Sequence, residues 1–189
     1  MLENLVKECG QKLPPGTEVD IYYTCICELN GYPQTAKQLA VGDPLPGDSV
    51  RLAEPFDFTT AESGEGYWRK ARILINTGGV KWDKEGDLGG EGFMSAFRFF
   101  IIGSEAEQIE FSVNLLKASG CIAMMIKQRE ATEMTVIGTD KIPAYVESIA
   151  GDGGEKNGDL NGAAYSIKFD SYLLKYDDGT HGIDVTPNI

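Results

Sequence analysis

Frequent glycines and prolines divide this chain into short segments, and this constrains its fold more than any other feature. The 189 residues include 23 glycines and 8 prolines, which break regular structure strongly. Most of the segments between them are rich in β-branched and aromatic residues and alternate between apolar and polar positions, as half-buried strands do. About eight strands are predicted, over residues 19–28, 54–60, 67–75, 93–102, 121–127, 133–137, 144–149 and 163–176.

One segment departs from the strand pattern and predicts a helix over residues 105–118. Ser104 and Glu107 have the spacing of a capping box, in which each side chain accepts a hydrogen bond from the backbone N–H of the other residue. Gly120 stands where a helix commonly ends. Apolar residues recur at helical spacing: Ile109, Val113 and Leu116, with Phe111 and Leu115 as a flanking pair.

The chain is predicted to fold as one domain over residues 1–189, because its length is ordinary for a domain and no internal repeat or domain-sized linker occurs. Stretches rich in glycine and proline predict two long loops, over 31–49 and 76–92. Residues 151–162 form a third turn-rich connection, and the polar residues 177–189 predict a C-terminal arm. We therefore expect a mainly β domain with one α-helix and extended loops.

The net charge of the chain limits what it binds. Seventeen Lys and Arg residues stand against 29 Asp and Glu residues, which gives a formal net charge of −12. A surface of this sign repels phosphate and disfavours tight, non-specific binding of nucleic acid. No apolar stretch approaches the roughly 20 residues that span a bilayer, and no secretory signal is evident. We expect no membrane segment and synthesis in the cytoplasm.

The cysteines and the single histidine predict no metal site and no cofactor. Because the chain is long and well supplied with apolar residues, its four cysteines favour free thiols in a reducing compartment over a disulfide framework. Cys25 and Cys27 lack the spacing of a structural zinc site, and Cys9 and Cys121 supply no second close pair. His181 lies among turn-forming residues, which favours an exposed position in the arm over a catalytic one.

A calcium site is weighed for the 151–162 connection, because part of it follows the pattern of an EF-hand loop. Asn157, Asp159 and Asn161 occupy alternate positions of that pattern, but Lys168 stands where a bidentate glutamate belongs. Asn-Gly and Asp-Gly pairs also suit the turns of hairpin connections. Turn formation is the favoured interpretation, and a fortuitous ion site stays an alternative.

The sequence predicts that the chain is not an enzyme. It lacks a phosphate-binding loop and a dinucleotide fingerprint, and an acidic surface supplies carboxylate pairs by chance, so a carbohydrate-active enzyme has no specific signal. Aromatic residues at strand spacing favour a packed core over a ligand cavity: Trp68, Phe93, Phe97, Phe99 and Phe100. A monomeric ligand-binding β-barrel remains an alternative.

Four stretches follow one another in a recognisable order. They are a proline–glycine turn with an apolar first strand, two strands around a long loop, a helix with the strand after it, and a Gly-Thr…Pro-Ala segment. In sequence these are LPPGTEVDIYYTCICELNGYP (13–33), WRKARILINTGGVKWDKEGDLGGEGFMSAFRFFIIG (68–103), SEAEQIEFSVNLLKASGCIAMMIKQ (104–128) and TVIGTDKIPAYVESIAGDGGEKNG (135–158). In this order the chain resembles the major tail tube proteins of tailed bacteriophages, of the type found in phages and prophages of gut Bacteroidetes.

The resemblance implies a β-sandwich or barrel-like tail tube domain, a virion structural protein. Six copies would form a ring whose inner strands join into a continuous barrel, and stacked rings would form a hollow tube. DNA would pass through its lumen without specific binding during ejection. The implied partners are further copies of the chain and other tail proteins. The implied locations are the phage tail and, during assembly, the bacterial host cytoplasm.

The resemblance also implies where copies meet. The strands around 67–75 and 93–102 would face the lumen, and the 76–92 loop would contact a neighbouring subunit or ring, with Trp82 as a buried anchor. The expected contact residues are Lys81, Trp82, Asp83, Lys84, Glu85 and Asp87. Another ring-forming tail component, such as a connector or completion protein, is the nearest alternative.

The acidic balance predicts a lumen that repels DNA, so that DNA slides rather than binds. Basic residues in the proposed lumen strands oppose this hypothesis: Arg69, Lys70, Arg72 and Arg98. Either they pair with acids of neighbouring subunits, or the lumen is less acidic than the net charge indicates.

Overall fold

The computed structural model describes residues 17–39, 42, 45, 47–58, 60–61, 64–65, 67–74, 77–86, 92–103, 106–128, 131–152, 161–177, 179 and 183. These residues form strands β1 (Thr17–Cys25), β2 (Thr60–Ala61), β3 (Gly64–Glu65), β4 (Arg69–Arg72), β5 (Gly79–Glu85), β6 (Gly92–Ile102), β7 (Ile122–Gln128), β8 (Met134–Ile137), β9 (Tyr145–Asp152), β10 (Gly162–Phe169) and β11 (Leu174–Tyr176), and helices α1 (Ala36–Leu39) and α2 (Ala106–Lys117). A 3₁₀ turn, Ile26–Glu28, follows β1.

Two antiparallel sheets form the body of the molecule, which confirms the predicted fold class. The five-stranded sheet has the order β11-β8-β7-β1-β4, and the four-stranded sheet has the order β5-β6-β10-β9. A separate pair of two-residue strands, β2 and β3, stands apart from both. The two main sheets contribute side chains to one buried core, which is consistent with a β-sandwich, and α2 is the one long helix among the described residues.

The core between the sheets consists of apolar side chains from alternate strand positions. Successive residues of a strand point to opposite faces, so each sheet presents one apolar face to the other. The largest contributors are Ile122, Met124 and Ile126 of β7, Phe97 and Phe99 of β6, and Tyr165, Ile167 and Phe169 of β10. Their burial removes most of the apolar area of these strands from water, which is the main stabilising contribution to such a fold.

The other face of the five-stranded sheet is covered too. Ala123 and Met125 of β7 belong to a second buried cluster, together with side chains from the segment between β1 and β4. In that segment Phe56 packs edge-to-face against Trp68, with ring centres 4.9 Å apart. β7 is therefore buried on both faces, which explains the unbroken apolar run at the centre of its sequence.

Helix α2 lies where it was predicted, but a different part of its surface is buried. Leu115 is 1% exposed, and Ser112 shares a hydrogen bond with the hydroxyl of Tyr165 at 2.8 Å. The predicted stripe of Ile109, Val113 and Leu116 is 59%, 42% and 54% exposed. The helix packs through the flanking pair instead and leaves the longer stripe bare. Ser104 of the predicted capping box lies outside the described residues.

Several predicted boundaries are wrong in detail. The 76–92 loop contains strand β5, and the 31–49 loop contains α1. Residues 54–58 form only an isolated bridge, from Phe58 to Leu29, and the predicted 163–176 strand is divided into β10 and β11. Of the C-terminal arm, only residues 177, 179 and 183 are described.

The two predicted lumen strands are not partners. β4 pairs with β1 in the five-stranded sheet, whereas β6 pairs with β5 and β10 in the four-stranded sheet. Pairing of strands that are adjacent in sequence is common but not obligatory. Here β5 comes between them in sequence and takes the place beside β6.

Candidate assembly surfaces

The β5–β6 hairpin carries the predicted contact residues. Lys81, Trp82, Asp83, Lys84 and Glu85 lie on β5, a strand rather than a loop, and Asp87 lies outside the described residues. Trp82 stands opposite Ser95, and Val80 opposite Phe97, so Val80 and Trp82 point to the core-facing side of the sheet.

The outer part of this hairpin extends beyond the core. Val80 packs against the core cluster, but Trp82 is 57% exposed and Phe93, near the turn on β6, is 53% exposed. Two large aromatic rings therefore stand bare on one side of the hairpin, and we call Trp82 and Phe93 the aromatic tip. Exposed aromatic residues of this size are typical of contact sites in proteins that assemble.

The opposite side of the four-stranded sheet faces away from the core and carries charged side chains, and we call it the open face. Lys81 and Asp83 of β5 lie there, opposite Ala96 and Met94, and Arg98 of β6 follows in the same row. These charged side chains are exposed. A sandwich sheet commonly has one face packed and one in contact with water.

An ion pair crosses the open face between β9 and β10. Lys168 Nζ lies 2.7 Å from a carboxylate oxygen of Glu147, and the Ser166 hydroxyl donates to the other carboxylate oxygen at 2.7 Å. The hydrogen bond from Lys168, and then that from Ser166, lower the pKa of Glu147 from its ordinary value. Glu147 occupies the point where the β9–β10 register shifts, which places it within reach of both donors.

Charges of both signs line a cavity on this open face. They are the cations Lys81, Arg98 and Lys168 and the anions Asp83 and Glu147. An acidic wall, as the sequence predicted for the lumen, is therefore not formed by these five residues.

The four-stranded sheet ends in two edge strands, β5 and β9, which have no further strand partner among the described residues. At the start of β9, the Val146 N–H donates to the Ser119 hydroxyl at 3.0 Å, so this backbone donor already has a hydrogen-bond partner within the chain. The rest of both edges presents backbone groups that can pair with another strand.

A shallow apolar groove lies between α2 and the ends of β9 and β10. Its volume is about 250 Å³. The stripe of Ile109, Val113 and Leu116 forms one wall, and Ile149 and Ala163 lie in the other. The stripe is evident in the sequence as apolar residues at helical spacing.

The basic residues of β4 lie close to acidic residues of the same chain. Arg69 lies 2.9 Å from Glu28, and Lys70 lies 2.7 Å from Asp20. Arg72 is also near Asp20, at 3.4 Å. The register of β1 and β4 places Arg72 directly opposite Asp20, which explains these contacts. Three basic residues of β4 thus contact two carboxylates of the same chain.

The sequence prediction of four free thiols is also wrong. Cys25 and Cys27 form a disulfide, and Cys121 is a half-buried free thiol. The sulfur atoms of all three lie within 4.8 Å of one another. β1 pairs with β7 so that Cys25 stands opposite Ile122, and this register brings Cys121 to the other two. Cys9 and His181 lie outside the described residues.

The aromatic residues proposed for a core or a cavity mostly fill the core. Trp68, Phe97 and Phe99 are buried. The rings of Phe97 and Phe99 stack, and Phe99 stacks in turn on Tyr165 with ring centres 4.9 Å apart. Phe93 is exposed, as described above. Asn157 and Asp159 of the weighed calcium pattern lie outside the described residues.

In comparisons with known proteins, no protein-family model, curated protein or solved structure matches the chain. Among the described residues, neither helix reaches the length and apolar character needed to cross a membrane. The function is therefore argued from the surfaces themselves.

Proposed function

We propose that the chain is a tail tube protein of a tailed bacteriophage, whose copies close into rings and stack into a hollow tube that conducts DNA. The observation that carries the proposal is the four-stranded sheet. It is packed on one face, carries charged side chains on the other, and is bounded by the edges of β5 and β9. A sheet of this kind is suited to continue from one copy into the next, because joining removes the unpaired edges.

The strand directions support ring closure. Each neighbouring pair in the order β5-β6-β10-β9 is antiparallel, so β5 and β9 run in opposite directions. Copies related by rotation about the tube axis would therefore bring β9 of one copy beside β5 of the next in antiparallel orientation. Such head-to-tail contacts form a closed ring when the rotation closes, and the sheets become a barrel without edges.

The two bare apolar surfaces support further contacts. The aromatic tip and the groove beside α2 consist of different residues of the same chain. A contact between different patches of identical copies is heterologous, and such contacts propagate into rings or filaments. We assign the aromatic tip to the contact between neighbouring copies, in agreement with the resemblance to tail tube proteins.

The open face would then line the channel. Charges of both signs line its cavity, and Lys168 is held by Glu147 at 2.7 Å. Carboxylates beside the cations compete with DNA phosphates for them, so we expect DNA not to be held tightly. The proposed location is the phage tail, after assembly in the host cytoplasm.

Electron microscopy of the negatively stained, purified chain over a range of concentrations tests the proposal. Rings or hollow tubes that appear as the concentration rises are the expected result, and end-on class averages count the copies in each ring. Particles of single-chain size, 20.6 kDa, at every concentration would contradict spontaneous tube assembly and favour the monomeric ligand-binding β-barrel.

A further inference from the structure

We propose that Cys25, Cys27 and Cys121, in their reduced form, bind a thiophilic d¹⁰ metal ion such as Zn²⁺. The proposal does not depend on the tail tube function. Its basis is the approach of the three sulfur atoms, which all lie within 4.8 Å of one another. Around a tetrahedral zinc ion with Zn–S bonds of about 2.3 Å, neighbouring sulfurs are roughly 3.8 Å apart. On reduction the sulfurs of Cys25 and Cys27 are free to move apart, and that of Cys121 already lies within 4.8 Å of both, so side-chain rotations can close the site.

The backbone fixes the positions of the three cysteines. Cys25 ends β1 opposite Ile122, and the N–H of Ile26 donates to the carbonyl oxygen of Cys121 at 2.7 Å. The N–H of Cys121 donates to the carbonyl oxygen of Ala118 at 2.8 Å. The two segments that carry the ligands are thus tied to each other, and little order has to be created when an ion binds.

The chemistry of the ligands selects the ion. Thiolates are soft ligands that favour Zn²⁺ and Cu⁺ over Mg²⁺ or Ca²⁺. Cys27 is exposed, whereas Cys25 and Cys121 are half-buried, so an ion has a path from solvent. Three protein ligands leave a fourth position of a tetrahedral ion for a water molecule.

The oxidation state controls the site. The Cys25–Cys27 disulfide occupies two of the three ligands, and Cys121 alone does not hold an ion. A phosphine reductant cleaves the S–S bond: phosphorus gives up two electrons and takes the oxygen of a water molecule, and the two thiols keep the two protons. Binding of Zn²⁺ by the three thiols then releases three protons as Zn–S bonds form.

The test is a zinc titration of the full chain after phosphine reduction and removal of the reductant without air. A chromophoric chelator competes for the metal. We expect one tightly bound Zn²⁺ per reduced chain and none per oxidised chain. Cys121→Ser and Cys27→Ser should each weaken binding by about 100-fold or more, since each removes a charged ligand. Cys9→Ser is the matched control and should bind as the unaltered chain does.

Three results would overturn the proposal: no tight binding by the reduced chain, equal binding by the oxidised chain, or unaltered affinity in both cluster variants. Loss of binding in Cys9→Ser would overturn the three-residue ligand set. Far-ultraviolet circular dichroism shows whether each variant is folded. Because Cys27 is exposed, Cys27→Ser keeps the test decisive even if Cys121→Ser fails to fold. Cadmium gives a second readout, since its thiolate complexes have a charge-transfer absorption that the serine variants should lack.

Discussion

The hydroxyl of Tyr32 donates a hydrogen bond to the carbonyl oxygen of Gly138, at 2.8 Å and across 106 positions of the sequence. Tyr32 belongs to the segment that covers the outer face of the five-stranded sheet, and Gly138 directly follows β8 of that sheet. Burial, and secondarily the charge of Asp140, raise the pKa of the Tyr32 hydroxyl. The hydroxyl therefore stays protonated and can donate this hydrogen bond. The contact ties the covering segment to the sheet beneath it.

Tyr32→Phe should lower the free energy of unfolding by about 1–2 kcal/mol, because the carbonyl of Gly138 loses its donor in a part-buried position. Tyr172→Phe is the matched control. Tyr32 and Tyr172 line one surface cavity, but Tyr172 is 48% exposed. Urea denaturation of both variants measures the difference. Equal stability of the two variants would show that this hydrogen bond contributes nothing.

Gly138→Ala should be far more destabilising than Gly31→Ala. Both glycines have positive φ angles, +87° and +94°, which cost an L-residue about 1–2 kcal/mol. At Gly138 an added Cβ would also overlap the carbonyl oxygen of Ile122, whereas nothing lies within 4 Å at Gly31. Denaturation should show a loss of about 1 kcal/mol for Gly31→Ala and at least about 3 kcal/mol for Gly138→Ala. Similar losses would indicate that the backbone near Gly138 relaxes.

The fold class could be predicted from the sequence because local patterns carry it. The alternation of side chains along residues 93–102 and the helical spacing of apolar residues after Ser104 are properties of residues close together in sequence. Strand β6 and helix α2 form at these places. β5 was missed although Val80 and Trp82 alternate with Lys81 and Asp83, since the surrounding glycines suggested a loop. The strand forms because β6 offers it a long partner, and strand pairing outweighs local propensity.

The surfaces could be predicted only in part, because they depend on which strands pair. The sequence predicts Trp82 as a contact residue, and that stays a prediction. Nothing in the sequence indicates that Val80, two positions earlier, is covered by the core while Trp82 is exposed. The approach of Cys121 to Cys25 follows from the β1–β7 register, across nearly a hundred residues. No short turn joins β1 to β7, so the turn geometry that fixes register in a hairpin gives no guide to this pairing.

Neighbouring leucines of α2 should respond in opposite ways to truncation. Leu115 is 1% exposed and Leu116 is 54% exposed. Leu115→Ala should cost about 2–5 kcal/mol, because it leaves a cavity in the core, whereas Leu116→Ala should change stability by less than about 0.5 kcal/mol. Thermal or urea denaturation measures both. A large loss for Leu116→Ala would mean that the stripe is covered within a single copy.

The ion pair on the open face should make stability depend on pH. A carboxylate whose pKa is lowered by folding stabilises the folded state above its ordinary pKa, 4.5 for Glu147, and loses this contribution as the pH falls through the lowered value. Glu147→Gln should therefore lower the melting temperature slightly at pH 7, since the pair is partly exposed. The difference from the unaltered chain should shrink below pH 4.5.

Calorimetry of both chains between neutral and acid pH measures this difference, and Glu110→Gln is the control. Glu110 is an exposed carboxylate on α2, so its removal should leave the melting temperature nearly unchanged across the range. If the melting-temperature difference between Glu147→Gln and the unaltered chain stayed constant down to acid pH, the charge of Glu147 would not be what stabilises the fold.

The aromatic tip gives the sharpest test of assembly. Trp82→Ser should raise the concentration at which rings or tubes form by about 30-fold or more, the effect of losing an interface anchor worth about 2 kcal/mol. Because Trp82 is 57% exposed in a single copy, the unfolding free energy of that copy should change by less than about 0.5 kcal/mol. Light scattering and negative-stain microscopy measure assembly, and urea denaturation measures stability. Tyr172→Ser, another exposed aromatic, should assemble normally. Unimpaired assembly of Trp82→Ser would place the contact between copies elsewhere than on the β5–β6 hairpin.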